Sequence, residues 1–66
     1  MSAGEKMREM RGSRTQEEMA RMLGITKSSY AMYERGERIP RDEVKVRISR
    51  LLGISVQALF FDAFEH

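Results

Sequence analysis

Apolar residues recur every three or four positions along most of the chain, which is the spacing of amphipathic α-helices. This spacing predicts a first helix at residues 1–11, a fourth at 41–52 and a last short helix at about 56–61. Two further patterns between them cover residues 16–22 and 27–35. The sequence therefore predicts an all-α fold, a compact bundle of about five short helices in a single domain spanning residues 1–66.

Each apolar stripe is expected to face one shared core. The stripe of the first helix holds Ala3, Met7, Met10 and Arg11. Met19 and Met22 lie on or beside the stripe of the second helix, and unbranched methionine side chains suit gaps in a core. The later helices add the apolar residues Val44, Ile48, Leu51, Leu52, Val56, Leu59 and Phe60. Val46 is predicted to point away from them.

Local signals mark where the two central helices begin and end. Thr15 can cap the first of them, and Glu18, three residues later, completes a capping box. Gly24 can adopt the positive φ that ends this helix, and Thr26 can cap the next one. Two helices joined by a short turn containing glycine form a helix-turn-helix, whose second helix can enter a DNA major groove. We therefore predict a helix-turn-helix at residues 15–36.

The outer helices carry similar signals. Ser2 can cap the first helix, which Gly12 ends, and Pro40 prepares the start of the fourth. Gly53 closes the fourth helix, and Ser55 can cap the last one. These positions delimit the bundle at its two ends.

The outer face of the second central helix is predicted to be polar and cationic. Tyr30 and Tyr33 point inward at the helical period. The opposite face holds Lys27, Ser28, Ala31 and Met32. Because this strip carries no acid, it would not repel a phosphate backbone.

These residues resemble the Cro/CI-type helix-turn-helix family of phage repressors and Cro-like proteins. The matching pieces are Thr15-Gln16-Glu17-Glu18-Met19-Ala20, Gly24-Ile25-Thr26, Tyr30 and Tyr33-Glu34-Arg35-Gly36. The likeness extends over about residues 3–61. It implies a sequence-specific DNA-binding transcriptional regulator, a repressor, of a bacterium, phage or mobile element.

The resemblance also has consequences for individual contacts. In the family, the residue matching Arg11 pairs with the one matching Glu34, so we expect that pair here. The loop before Thr15 is shorter than in the commoner family pattern, which leads us to expect an early end of the first helix. A solvated Arg11 is the alternative to the pair.

Several residues of the helix-turn-helix are expected to contact DNA. Gln16 begins a helix whose unpaired N–H groups favour an anion, and the family's matching glutamine contacts phosphate. Lys27 and Ser28 suit base edges, although a lysine suits phosphate equally well. Met32 can touch a thymine methyl, and its alternative is chance exposure. The outer strip has no Gln, Asn or Arg, the side chains that read bases bidentately, so DNA shape is expected to supplement modest direct readout.

Other residues are expected to hold the phosphate backbone. Thr26 and Ser29 suit phosphate contact or capping. Three arginines lie at and after the end of the second central helix, Arg35, Arg38 and Arg41, in a region that family members use to clamp the backbone. The alternative is that they are solvated surface charges. Ile39, between the last two arginines, is predicted to point inward.

Composition limits the remaining possibilities. The 66 residues include no cysteine and one histidine, which excludes disulfides and a zinc site of ordinary ligand type. We expect no cofactor and no enzymatic activity, because no acids or nucleophiles converge in the pattern. The net charge of +2 favours a polyanionic partner only weakly. With no apolar run of membrane-spanning length, the protein is expected to be soluble and cytoplasmic.

Two aromatic residues near the end of the chain, Phe61 and Phe64, exceed what a core this small requires. Because family members dimerise through this region to match two DNA half-sites, we expect a homodimer through Phe61 and Phe64. The alternative is a small interaction module, such as an antitoxin or anti-repressor, that binds a protein partner through these residues and Val46.

Overall fold

The computed structural model describes residues 2–61, and every regular element in that range is a helix. The helices are α1 (Ala3–Arg11), α2 (Gln16–Leu23), α3 (Lys27–Arg35), α4 (Asp42–Leu52) and α5 (Gln57–Phe61). The first four are α-helices, whereas α5 is one π-helical turn. The predicted all-α bundle is confirmed, and α3 packs against both α1 and α2.

The predicted caps are present at the ends of the helices. Ser2 and Glu5 form a reciprocal capping box at α1, and Ser55 Oγ accepts a hydrogen bond from the Ala58 N–H at 3.0 Å. Gly53 adopts a left-handed conformation at the end of α4. Such caps satisfy backbone groups that a helix leaves unpaired at its ends.

Helix α1 continues to Arg11, so the expectation of an early end is wrong. Arg11 Nη1 donates to the Arg14 carbonyl oxygen at 2.8 Å, and Arg14 Nε donates back to the Arg11 carbonyl at 3.2 Å. These two bonds hold the short loop against the last turn of α1. The shorter connection is therefore accommodated without unwinding the helix.

The core forms around Tyr30, which is fully buried. The other apolar residues with no exposed surface are Met7, Met19, Ile48 and Leu59. Leu51, Leu52 and Val56 pack against this core while partly exposed, as predicted for the stripes of the last two helices. Val46 points outward, as the helical period indicated, and is 39% exposed.

Two methionines predicted for the core lie outside it: Met10 is 37% exposed and Met22 is 51% exposed. On α2 the buried residues Met19, Ala20 and Leu23 share one face, and Met22 lies about 100° from the centre of that face. On α1 the buried Gly4 turns the contact face away from Met10 in the same way. The predicted stripes were thus too wide by one position on each helix.

The loop before α4 also differs from the prediction. Ile39 is 77% exposed, so its expected inward position is wrong, and Pro40 is buried instead. The buried Pro40 lies next to Arg41, the N-cap residue of α4.

Candidate nucleic-acid interface

The turn between α2 and α3 is held by local hydrogen bonds. Gly24 has φ 70° and ψ 31°, and its left-handed conformation ends α2. Thr26 Oγ1 accepts from the Ser29 N–H at 3.1 Å and donates to Ser29 Oγ at 3.0 Å. Thr26 and Ser29 therefore form the cap of α3, and this cap fixes the orientation of its first turn.

The first turn of α3 presents its side chains to solvent. Lys27 and Ser28 are exposed and Met32 is half-buried, whereas Tyr30 and Tyr33 are buried. The division between an outer polar strip and two inward tyrosines agrees with the sequence prediction. No acidic residue lies in the first turn of α3.

Ala31 is the exception on this strip, because it is buried rather than exposed. The reason is Glu34, which lies 60° from Ala31 at the helical period and is itself only 3% exposed. Burial of Glu34 moves the centre of the buried face of α3 toward Ala31. The outer strip is accordingly narrower, and Ser28, Met32 and Arg35 form its axis.

A buried ion pair joins α1 to the end of α3. Arg11 Nε donates to Glu34 Oε2 at 2.8 Å, and Arg11 Nη2 donates to Glu34 Oε1 at 3.3 Å. The Glu34 side chain has no exposed surface, and that of Arg11 is 20% exposed. The pair implied by the family resemblance is confirmed, and the alternative of a solvated Arg11 is excluded.

Gln16 takes part in the same network. Its Nε2 donates to Glu34 Oε1 at 3.1 Å, which draws the half-buried amide toward α3. An amide nitrogen carries two N–H groups, so the second remains able to donate elsewhere. The network thus connects the first residue of α2 to the interior of the domain.

Ionisation of the network follows from these contacts. Burial acts to raise the pKa of Glu34, but the hydrogen bonds from Arg11 and Gln16 outweigh it and leave the pKa below its usual value. The Tyr30 hydroxyl also interacts with this carboxylate, at a geometry too loose for a regular hydrogen bond. Burial, with the nearby Glu34 charge, raises the pKa of Tyr30. Glu34 is therefore ionised and Tyr30 neutral at pH 7.

An open depression lies beside this network, between the N-terminal ends of α2 and α3. Its volume is about 430 Å³, and it is lined by Arg11, Thr15, Gln16, Glu17 and Lys27. Lys27 and Gln16 thus approach the same space from two helices. A phosphate placed there would meet the unpaired N–H groups at the start of α2 as well as these side chains.

A second depression of about 460 Å³ lies on the other side of α3, next to the turn. Ser29, Arg38 and Arg41 line it, together with Arg47 of α4 and one acid, Glu43. Arg47 Nη1 donates to the Leu23 carbonyl oxygen at 3.3 Å, at the C-terminal end of α2. Sequence reasoning missed Arg47, because its position on α4 indicated only an exposed cation.

Arg35, at the end of α3, is engaged by a neighbour. Its Nε donates to Glu37 Oε2 at 2.8 Å, and its Nη2 donates to Glu37 Oε1 at 3.0 Å. Both side chains are about half exposed. The hydrogen bonds from Arg35 hold the pKa of Glu37 below its usual value, so the acid is ionised. The sequence prediction did not consider Glu37 as a partner for Arg35.

The chain was compared with models of known protein families. A family model described as Helix-turn-helix covers residues 5–59. The chain belongs to this helix-turn-helix family, of the Cro/CI type. Comparisons with curated proteins and with solved structures give no match. Membership identifies the chain as a DNA-binding regulator of the helix-turn-helix family.

The residues predicted to contact DNA lie on and around the exposed face of α3. The helix-turn-helix places a short polar strip of α3 outermost and surrounds it with depressions that hold cationic side chains. Among the residues predicted to contact DNA, Gln16 and Lys27 line one depression, and Ser29, Arg38 and Arg41 line the other. Thr26 serves as a cap, and Arg35 lies on the axis of the strip, outside the lining of both depressions.

Among residues 2–61, no group of three or more histidine and acidic side chains is arranged to hold a metal ion. No helix in the same range has the length and apolar character needed to cross a bilayer.

Proposed function

We propose that this helix-turn-helix protein is a sequence-specific transcriptional repressor that acts by occupying a DNA operator in the cytoplasm of a bacterium, phage or mobile element. One observation carries the proposal: Lys27 and Ser28 stand exposed at the start of α3 while Tyr30 and Tyr33 are buried beneath them. A helix with this division presents hydrogen-bonding side chains to base edges and keeps its apolar face in the core.

Affinity would come mainly from the phosphate backbone. Gln16 would contact one strand with its second amide N–H, beside the start of α2. On the other side of α3, Arg38, Arg41 and Arg47 would attract the neighbouring strand. Ser29 lines the same depression, and Thr26 supports it through the cap. Since such contacts release counterions, binding is expected to weaken steeply as salt concentration rises.

Sequence preference would come from the outer strip of α3. Lys27 suits guanine O6 and N7, Ser28 suits several base edges, and the half-buried Met32 suits a thymine methyl. The absence of Asn, Gln and Arg from the first two turns limits bidentate readout, so operator shape would contribute as well.

We predict different outcomes for two substitutions in these regions. Lys27→Ala is expected to change base preference at one operator position, because a base-edge contact is lost. Arg38→Ala is expected to weaken binding to all DNA sequences equally, because a phosphate contact is lost. For the same reason, the slope of log affinity against log salt is expected to fall by about 0.9 in magnitude. Selection from a random DNA pool, followed by titrations at 50 to 200 mM salt as a working range, would measure both effects.

Equal effects of the two substitutions would contradict this division of roles. Arg50→Ala provides a matched control, because Arg50 is an exposed cation on α4 outside both depressions. It is expected to leave base preference unchanged and to alter the salt slope less than Arg38→Ala. A protein that binds no duplex DNA at low salt would contradict the repressor proposal and favour an interaction module instead.

A homodimer would allow the protein to recognise two operator half-sites. Phe61 is 44% exposed and borders an apolar groove of about 320 Å³. The groove is lined in part by Ala3, Tyr33, Ile39, Pro40 and Phe60. An exposed aromatic beside an apolar groove supports a protein contact at this face. Phe64, the second residue expected in the interface, lies outside the described residues.

We predict that the double variant Phe61→Ala, Phe64→Ala sediments as a monomer at concentrations where the wild-type protein is dimeric. The reason is the loss of aromatic surface that the contact would bury. Analytical ultracentrifugation measures the change, and Met22→Ala serves as a control because Met22 is exposed on α2, away from this groove. An unchanged oligomeric state in the double variant would remove Phe61 and Phe64 from the interface.

A further inference from the structure

The position of Glu37 follows from the end of α3. Gly36 adopts φ 74°, which turns the chain, and the Glu37 N–H donates to the Met32 carbonyl oxygen at 2.9 Å. This hydrogen bond holds the Glu37 backbone against the last turn of the helix. The Glu37 carboxylate is therefore positioned by a defined cap rather than by an unconstrained loop.

The Glu37 carboxylate takes the place on Arg35 that a phosphate would take. A guanidinium binds carboxylate and phosphate through the same pair of parallel N–H donors. Here both carboxylate oxygens of Glu37 are used, at 2.8 and 3.0 Å from Arg35 Nε and Nη2. The pair carries no net charge, so it attracts the DNA backbone less than an isolated arginine would.

The Arg35–Glu37 pair also lies at the end of the exposed strip of α3 that is proposed to face DNA. Arg35 follows Ser28 and Met32 along one line of α3, at the i, i+4, i+7 spacing of a single helix face. That line is the exposed strip of the helix. Whatever DNA backbone borders the strip at the end of α3 meets Arg35 and Glu37 together.

We infer that Glu37 is an intramolecular competitor of the DNA backbone for Arg35, and that it lowers affinity for all DNA sequences by withholding one phosphate contact. The inference rests on the proposed DNA-binding function. It separates Arg35 from Arg38 and Arg41, for which the described residues contain no ion-pair partner. Because phosphate contacts carry no sequence information, Glu37 sets affinity and salt dependence but not base preference.

The test uses the full-length chain and a substitution that keeps the shape of Glu37 while removing its charge. Glu37→Gln is expected to bind both a mixed-sequence duplex and the selected operator about threefold more tightly. The slope of log affinity against log salt is expected to become steeper by about 0.9, because one further phosphate is neutralised. Fluorescence anisotropy of labelled duplexes across a salt series measures both quantities.

A matched control separates this effect from a simple change in net charge. Glu9→Gln removes the same charge from an exposed acid on α1 that forms no ion pair within residues 2–61. It is expected to leave the salt slope nearly unchanged. In an Arg35→Gln background, Glu37→Gln is expected to have no further effect, because the arginine that it would release is absent.

Three results would overturn the inference while leaving DNA binding in place. The first is an equal gain from Glu37→Gln and Glu9→Gln, and the second is a gain that persists without Arg35. The third is a loss of affinity in Glu37→Gln, which would mean that Glu37 orients Arg35 for binding instead of withholding it. Failure of the wild-type protein and every variant to bind duplex DNA at low salt would overturn the proposed function and this inference together.

Discussion

Replacing Arg11 with methionine is expected to destabilise the fold by about 3 kcal/mol, because it leaves the buried Glu34 carboxylate without its main partner. Arg11 provides two hydrogen bonds to Glu34, at 2.8 and 3.3 Å, and the Glu34 side chain has no contact with solvent. Removing one partner of a buried ion pair usually costs about 3–5 kcal/mol. We expect the lower end of this range because Gln16 still donates to the same carboxylate. Urea denaturation measures the loss.

Two further variants distinguish an unpaired buried charge from the loss of Arg11 packing. The double variant Arg11→Met, Glu34→Met removes both charges and is expected to be more stable than Arg11→Met alone. Arg8→Met serves as the control. Arg8 Nε lies 3.8 Å from Glu34 Oε1, but the Arg8 side chain is 61% exposed, so its removal is expected to cost little. A loss from Arg8→Met as large as that from Arg11→Met would contradict the assigned roles.

The pH dependence of stability gives an independent readout of the same prediction. The pKa of Glu34 is lower in the folded protein than in the unfolded chain. Ionised Glu34 therefore stabilises the fold fully above its pKa in the unfolded chain, about 4.3. This stabilisation is lost as the pH falls through the pKa of Glu34 in the folded protein. Without Arg11, burial dominates and protonation relieves the buried charge. The stability difference between wild type and Arg11→Met is accordingly expected to shrink in acid.

Replacing Gly4 with alanine is also expected to destabilise the fold, by about 3 kcal/mol. Gly4 is the second residue of α1, and replacing a helical glycine with alanine ordinarily stabilises a helix, by up to about 1 kcal/mol in its interior. Here a methyl group at Gly4 would lie 2.7 Å from the Glu34 carbonyl carbon and 2.8 Å from the Tyr33 carbonyl oxygen, and closer still to the Glu34 carbonyl oxygen. These are backbone atoms of α3, so the obstruction cannot be relieved by a side-chain rotation.

The sign of the Gly4→Ala effect is the decisive observation, measured by urea denaturation or as a decrease in melting temperature. Glu9→Ala is a suitable control, because Glu9 is exposed on the same helix and alanine is a good helix former. That control is expected to leave stability almost unchanged. If Gly4→Ala stabilised the protein, the close approach of α1 to the end of α3 would be disproved.

These two predictions concern one contact between α1 and α3, and that contact connects to the proposed interface. Gly4 allows the helices to approach, Arg11 and Glu34 join them, and Gln16 extends the network to the start of α2. A change at Arg11 is therefore expected to affect the orientation of the Gln16 amide as well as stability.

Local chemistry explains why so much of the fold was predictable. Thr15 and Glu18 form the predicted capping box, and Thr26 caps α3 as predicted. Both signals act within one helical turn, so they do not depend on the rest of the chain. The inward direction of Tyr30 and Tyr33 followed from the helical period alone. The Arg11–Glu34 pair was expected only from the family resemblance.

The residues whose burial was predicted wrongly lie where packing between helices, and not local sequence, determines which side chains are covered. Met10 and Met22 lie at the edges of the apolar stripes, where the neighbouring helices do not cover them. No local signal indicated that Ile39 would be exposed and Pro40 buried. Ala31 is buried beside the charged Glu34, which lies in the interior where it pairs with Arg11.

The sequence by itself determined the helices, their caps, the turn between α2 and α3 and the family, because each depends on residues close together along the chain or on a motif of fixed spacing. Only the tertiary structure decided that Gly4 lies against the backbone of α3, that Gln16 bonds to Glu34, that Arg47 reaches the turn and that Glu37 holds Arg35. The first three contacts join residues distant in the chain, and their existence depends on how the helices pack. The contact between Arg35 and Glu37 is local in sequence, but its geometry depends on the left-handed turn at Gly36.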